Sequence, residues 1–125
     1  MSINPNNKLI EINLVKKSLA RLMAVQALYQ YFFYKKEIPL IEIKEELITK
    51  YILSHEDNPK SFRQKIDKKI LNNIIDNAEN FFDEIDQKIT ITIKENNTPF
   101  NEVAIQIIRC AAIEGKLENK IPKKV

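Results

Sequence analysis

One glycine, Gly115, stands among 125 residues. Tight two-residue hairpin turns need positive φ at a central position, so an all-β fold is disfavoured. The same scarcity rules out a glycine-rich phosphate loop. The single cysteine, Cys110, permits no intramolecular disulfide and fits a reducing cytoplasm. The one histidine, His55, stands in a polar stretch beside Glu56 and Asp57, where a solvated side chain is the simplest reading. No Cys/His spacing of a metal site occurs. No apolar run nears the roughly 20 residues that span a bilayer. The start, "MSINPNNKLIEINL", lacks a charged segment leading into an unbroken apolar one, so no signal peptide is expected. These absences point to a single cytoplasmic domain with no membrane association, no catalytic residues, no metal site and no cofactor. The chain is not expected to be an enzyme.

What the sequence does hold is helical period. A first helix is expected from about Leu14 to Tyr34, preceded by an irregular arm over 1–13 in which Asn4, Pro5, Asn6 and Asn7 break any pattern. Its apolar line is Val15, Leu19, Leu22, Gln26, Tyr29 and Phe33. Ala20, Ala24 and Ala27 make a strip of small residues that lets a second helix approach closely. A second helix is expected at about Leu40 to Leu53, behind Pro39, with Ile41, Leu47, Ile48, Tyr51 and Ile52 inward. A loop follows over 54–60. The strongest pattern runs from Ser61 to Ile89, through Phe62, Ile66, Ile70, Leu71, Ile74, Ile75, Ala78, Phe82 and Ile85, with a break expected near Asn77–Asn80. "TITI" at 90–93 alternates like a strand but has no partner, and reads as a helix end. Thr98 and Pro99 read as the cap and first residue of a last helix to Leu117, with Val103, Ile107, Cys110 and Ala111 on its inner face. The domain then spans 14–125: first helices within 14–58, later ones within 59–117, and a polar tail over 118–125.

Charge is uneven. Residues 1–36 carry six Lys/Arg and one acid, a balance of +5; the rest carries 14 basic and 16 acidic side chains, a balance of −2. A basic end of this kind is the electrostatic footprint of a polyanion binder. Lys17 and Arg21 lie one helical turn apart, with Lys16 at their flank, and can pair with phosphates. All three stand near the expected helix start, where the macrodipole disfavours cations, which an anionic partner would offset. Tyr29 reads either as core or as a ring that stacks on an unpaired base. Cys110 on an apolar face reads as inert packing. "DEID" at 83–86 reads as a solvated face.

The run "LARLMAVQALYQ", residues 19–30, resembles the opening helix of the NusB family of transcription antitermination factors. "EVAIQIIRCAAIE", residues 102–114, resembles that family's Glu-x-Ala-Ile-Leu-Arg-x-Ala-x-x-Glu helix, with Glu102, Arg109, Ala111 and Glu114 in place. "EIDQKI" at 84–89 and "KIPKKV" at 120–125 suit two further family elements, in the right order. The resemblance covers about residues 14–125. It implies an all-α fold of packed helical bundles. It also implies binding of boxA-type RNA from the ribosomal RNA leader, together with NusE, a small-subunit ribosomal protein. The complex joins transcribing RNA polymerase and suppresses termination. Lys16, Lys17 and Arg21 would then be phosphate contacts and Tyr29 a contact to RNA.

Two departures stand out. Ser18 replaces an arginine common among relatives, which thins the basic cluster. The family's Asn-Glu-Ala and Phe-Val-Asn helices have no counterpart before Val125, which would expose apolar faces of the third and fourth helices. Two other functions use the same residues. One is the NusB-like domain of a ribosomal RNA cytosine methyltransferase. The other is a helical interaction module that forms a homodimer through its exposed apolar face.

Overall fold

The computed structural model describes residues 5–55, 66–97 and 99–120. They form four helices: α1 (Pro5–Phe33), α2 (Leu40–His55), α3 (Lys68–Asn96) and α4 (Glu102–Lys120). Among the described residues there is no strand, as the all-α expectation required. α1 packs on each of the other three helices, and α3 packs also on α2 and α4.

α1 begins well before Leu14, and the arm expected over 1–13 is helical from Pro5. Proline suits a first helical position, where its missing N–H is not needed. Asn6, Asn7 and Asn13 are weak helix formers but not breakers. The alanine strip does what its small size allows: Ala20, Ala24 and Ala27 are completely buried, beside Met23, Leu28 and Tyr31. The apolar line drawn through the larger residues is not the core. Val15 and Leu19 are half-buried, whereas Leu22, Gln26, Tyr29 and Phe33 face outward, Phe33 being 68% exposed. The inner face is the stripe Ala20, Met23, Ala24, Ala27, Leu28 and Tyr31, whose small members let neighbouring backbones approach, and Leu22, Tyr29 and Phe33 are turned away from it.

α2 starts where Pro39 implied, its first N–H groups from Glu42 and Ile43 bonding to the Pro39 carbonyl at 3.0 and 3.2 Å. Leu40, Ile43 and Lys44 are buried, and Leu47, Ile48 and Tyr51 are half-buried. Ile41 and Ile52, expected inward, are exposed. The inner face is rotated by Lys44, whose ammonium donates to Asn72 Oδ1 at 2.8 Å and so ties α2 to α3. The loop expected over 54–60 falls partly in α2, which runs to His55; residues 56–65, Phe62 included, lie outside the described residues.

α3 is capped by Asp67, whose side chain accepts from the Ile70 N–H at 3.1 Å. It runs unbroken through 77–80. The "TITI" segment is indeed helix: the Thr90 and Thr92 hydroxyls donate to the carbonyls of Asp86 and Lys88, each at 2.9 Å. Asn97 ends it in the left-handed region, φ 48°. α4 starts at Glu102 rather than Pro99, because Asn101 provides the cap, its side chain accepting from the Ala104 N–H at 2.7 Å. Thr98 lies outside the described residues, as does the tail beyond Lys120.

The inner face of α4 also differs. Gln106, Cys110 and Ile113 are buried, while Val103, Ile107 and Ala111 face solvent. A polar anchor sets this rotation. Arg109 grips Asp86 of α3 with two hydrogen bonds, Nε at 2.8 Å and Nη2 at 3.0 Å, and its Nη1 donates to Gln106 Oε1 at 3.0 Å. Its guanidinium lies 3.9 Å from the centre of the Phe32 ring of α1. Phe32 in turn packs edge-on against Phe82 at 5.1 Å. One side chain thus joins three helices.

The scarcity of glycine shows in the α1–α2 turn. The Lys36 N–H bonds to the Tyr31 carbonyl at 2.8 Å and the Lys35 N–H to the Phe32 carbonyl at 3.0 Å, a helix end that normally calls for glycine. Here Lys35 and Lys36 take it at φ 54° and 65°. A side chain in this region costs about 1–2 kcal/mol, partly offset by the entropy glycine would lose. Lys35→Gly is therefore expected to stabilise the fold by about 0.5–1 kcal/mol, read as a rise of a few degrees in Tm. An unchanged or lower Tm would contradict the strain.

Burial pushes the Cys110 thiol up to about 12, the nearby Glu114 carboxylate adding to the effect. The thiol thus stays protonated through neutral and mildly alkaline pH, and the thiolate is the reactive form. An aromatic disulfide reagent at pH 8 should label Cys110 only as fast as the chain opens, and at once in guanidinium. Rapid labelling of the native chain would refute its place in the core.

Candidate nucleic-acid interface

Lys16, Lys17 and Arg21 lie in the interior of α1, about three to four and a half turns past its start at Pro5. The macrodipole acts only within the first turn, so the cost expected from their position falls away. Lys17 is exposed and Lys16 half-buried. The Lys16 backbone carbonyl accepts from the Asp67 N–H at 3.3 Å, so the start of α3 abuts α1 at this point.

Arg21 is not an unengaged cation. Its Nε donates to Glu114 Oε1 at 2.8 Å and its Nη2 to Oε2 at 3.1 Å, a two-pronged pair between α1 and α4. That hydrogen bond raises the Arg21 pKa above its ordinary value, desolvation opposes it, and the carboxylates of Glu114, Glu118 and Asp67 add to the rise. With Arg21 48% exposed on its side chain, the pair is a partly solvated one, of about 0.2–1 kcal/mol. The guanidinium has five N–H donors, and three remain for an incoming phosphate.

Tyr29 is 40% exposed, which removes the core alternative. Its ring stacks on Phe33, centroids 6.4 Å apart, and Phe33 meets Tyr34 edge-on at 5.2 Å. Tyr29 is twelve residues beyond Lys17. That is about 18 Å along the axis and about a third of a turn round it. The structure therefore groups Lys16, Lys17 and Arg21 and sets Tyr29 apart, in a separate apolar stripe with Leu22 and Phe33.

Sequence reasoning missed three partners of this end of the molecule. Glu114 was visible as a motif residue but not as the anchor of Arg21, because the two are 93 positions apart. Lys68 and Lys69 were hidden by the expected helix start at Ser61; the string "DKK" at 67–69, a cap followed by two cations, was the available signal.

Elsewhere the chemistry is sparse. Among the described residues no group of three or more His, Cys, Asp or Glu side chains is placed to hold a metal ion. No helix among them is long and apolar enough to cross a membrane. An open groove of about 410 Å³ lies between α3 and α4; Ile85, Ile89, Phe100, Ile108 and Ala112 line it, with Lys88 and Lys116 beside them. Lys116 pairs with Glu84, holding that carboxyl below the usual range.

No curated protein and no solved structure matches the chain. The model of the NusB family matches residues 18–125. That stretch holds both motifs, the core face of α1 and the Arg109 anchor on α4, and with nearly the whole sequence covered the chain belongs to the NusB family.

Proposed function

We propose that this chain is a non-enzymatic transcription antitermination factor that binds boxA-type RNA of the ribosomal RNA leader. It does so together with NusE, in the antitermination complex of RNA polymerase in the cytoplasm. Family membership supports an RNA-binding, antitermination role in general terms. The observation that carries the finer reading is the outward-facing pair Lys17 and Arg21, one turn apart on the helix that bears the family's opening motif.

The chemistry follows from these side chains. Lys17 presents a point charge to a phosphate, and its binding releases condensed counterions. Arg21 is held in place by Glu114, so little side-chain entropy remains to be lost when a phosphate meets its free N–H groups. The Tyr29–Phe33 stripe offers a ring to an unstacked base further along the strand. A second reading rests on the same stripe: with Leu22, Tyr29 and Phe33 exposed, the face also suits another copy of this chain. Salt separates the two, since apolar pairing does not release counterions.

The test is binding of labelled boxA RNA and a scrambled control across a salt series, with and without NusE. Selective binding that NusE strengthens is expected. Lys17→Ala with Arg21→Ala should lower affinity on the order of tenfold and flatten the slope of log K against log salt by about 1.4, at unchanged helix content. Unchanged affinity in the double variant would contradict the assignment. Salt-insensitive dimers without RNA binding would favour the second reading.

A further inference from the structure

The basic surface does not stop at α1. α3 opens on Lys68 and Lys69, both exposed, with no acid in its first turn. The preceding residue, Asp67, donates its backbone N–H to the Lys16 carbonyl at 3.3 Å, and its carboxylate lies close enough to Arg21 to act on its charge. The fold thus gathers Lys16, Lys17, Lys68 and Lys69 at one junction of two helices that are distant in sequence.

This gathering is unfavourable in the free protein. Like charges repel across the junction. Lys68 and Lys69 also oppose the dipole of a long helix. Two of the three nearby acids are already engaged: Asp67 caps α3 through the Ile70 N–H, and Glu114 is taken by Arg21. The third, Glu118, lies close enough to act on Arg21 but makes no ion pair with the four lysines. Among the described residues none of the four lysines has an ion-pair partner. Cationic groups spread along a path over two helices match a strand with regularly spaced phosphates.

We infer that Lys68 and Lys69 belong to the same phosphate-binding surface as Lys16 and Lys17, so that the RNA strand crosses from α1 to α3 over the Lys16–Asp67 contact. This rests on the RNA-binding reading above and adds residues outside α1 to it. Lys68 and Lys69 act as point charges on the backbone and read no base.

The experiment uses the full chain, labelled boxA-type RNA and a salt series. Lys68→Ala with Lys69→Ala should weaken binding on the order of tenfold and flatten the salt slope by about 1.4, the release from two phosphate contacts on a single strand. The same variant should melt no lower than the parent, because it removes cations from a helix start. Lys68→Arg with Lys69→Arg should bind like the parent. If Lys17→Ala weakens binding while the Lys68/Lys69 alanine variant binds like the parent, this inference is overturned and the reading of α1 stands. If the parent chain shows no salt-dependent RNA binding, both fall. Polyglutamate competing as well as RNA at equal charge would replace the RNA strand by an acidic protein as the ligand and overturn the inference too.

Discussion

The guanidinium of Arg109 holds the arrangement together. It makes two charge-assisted bonds to Asp86 on α3, a third to Gln106 on its own helix, and lies over the Phe32 ring of α1. Its side chain is only 12% exposed, so these contacts act in a medium that screens poorly. An arginine fork stacked on an aromatic face fixes both distance and angle, which lysine cannot do. Apolar contacts tolerate rotation of a helix about its axis; this contact does not. It therefore dictates which side of α4 faces inward and leaves Val103 and Ile107 in solvent.

That rotation has a consequence at the other end of α4. Glu114 lies little more than one turn beyond Arg109, and the same orientation delivers it to Arg21 on α1. The alanine face of α1 lets α3 approach closely, and the approach ends in the Asp67 bond to Lys16. The basic surface is thus a product of helix packing. Lys16, Lys17 and Arg21 sit on one helix by sequence alone, but their neighbours Lys68, Lys69 and Glu114 arrive only through the fold.

The sequence was legible where period and chemistry agreed. The buried series Leu71, Ile74, Ile75, Ala78, Phe82 and Ile85 was visible from spacing, as was the alanine strip of α1. The family was visible in two motifs. Three things were not fully legible. The inward side of α1 was only half legible: the alanine strip marks it, but Leu22, Tyr29 and Phe33, large and apolar, stand outside it, and Met23, Leu28 and Tyr31 complete it. The inward side of α4 went unread because Arg109 and Gln106, both polar, are what turn it. The first turns of α1 and α4 were not legible because proline and asparagine serve either as breakers or as helix starts, and only the hydrogen bonds of the folded chain tell which; that of α3 was not, because its cap is Asp67, six residues beyond Ser61. The site was half legible: the basic run could be read from the chain, whereas the pairing of Arg21 and the company of Lys68 and Lys69 depend on contacts across 93 and about 50 positions.

The most direct test of the central claim, that the RNA surface lies at the α1–α3 junction, is a map of backbone amide shifts as boxA-type RNA is titrated into the labelled chain. Changes should concentrate at residues 16–21 and 67–69, with weaker ones near Tyr29 and little at Val103, Ile107 or the α3–α4 groove. Changes centred on that groove, with the junction undisturbed, would contradict it.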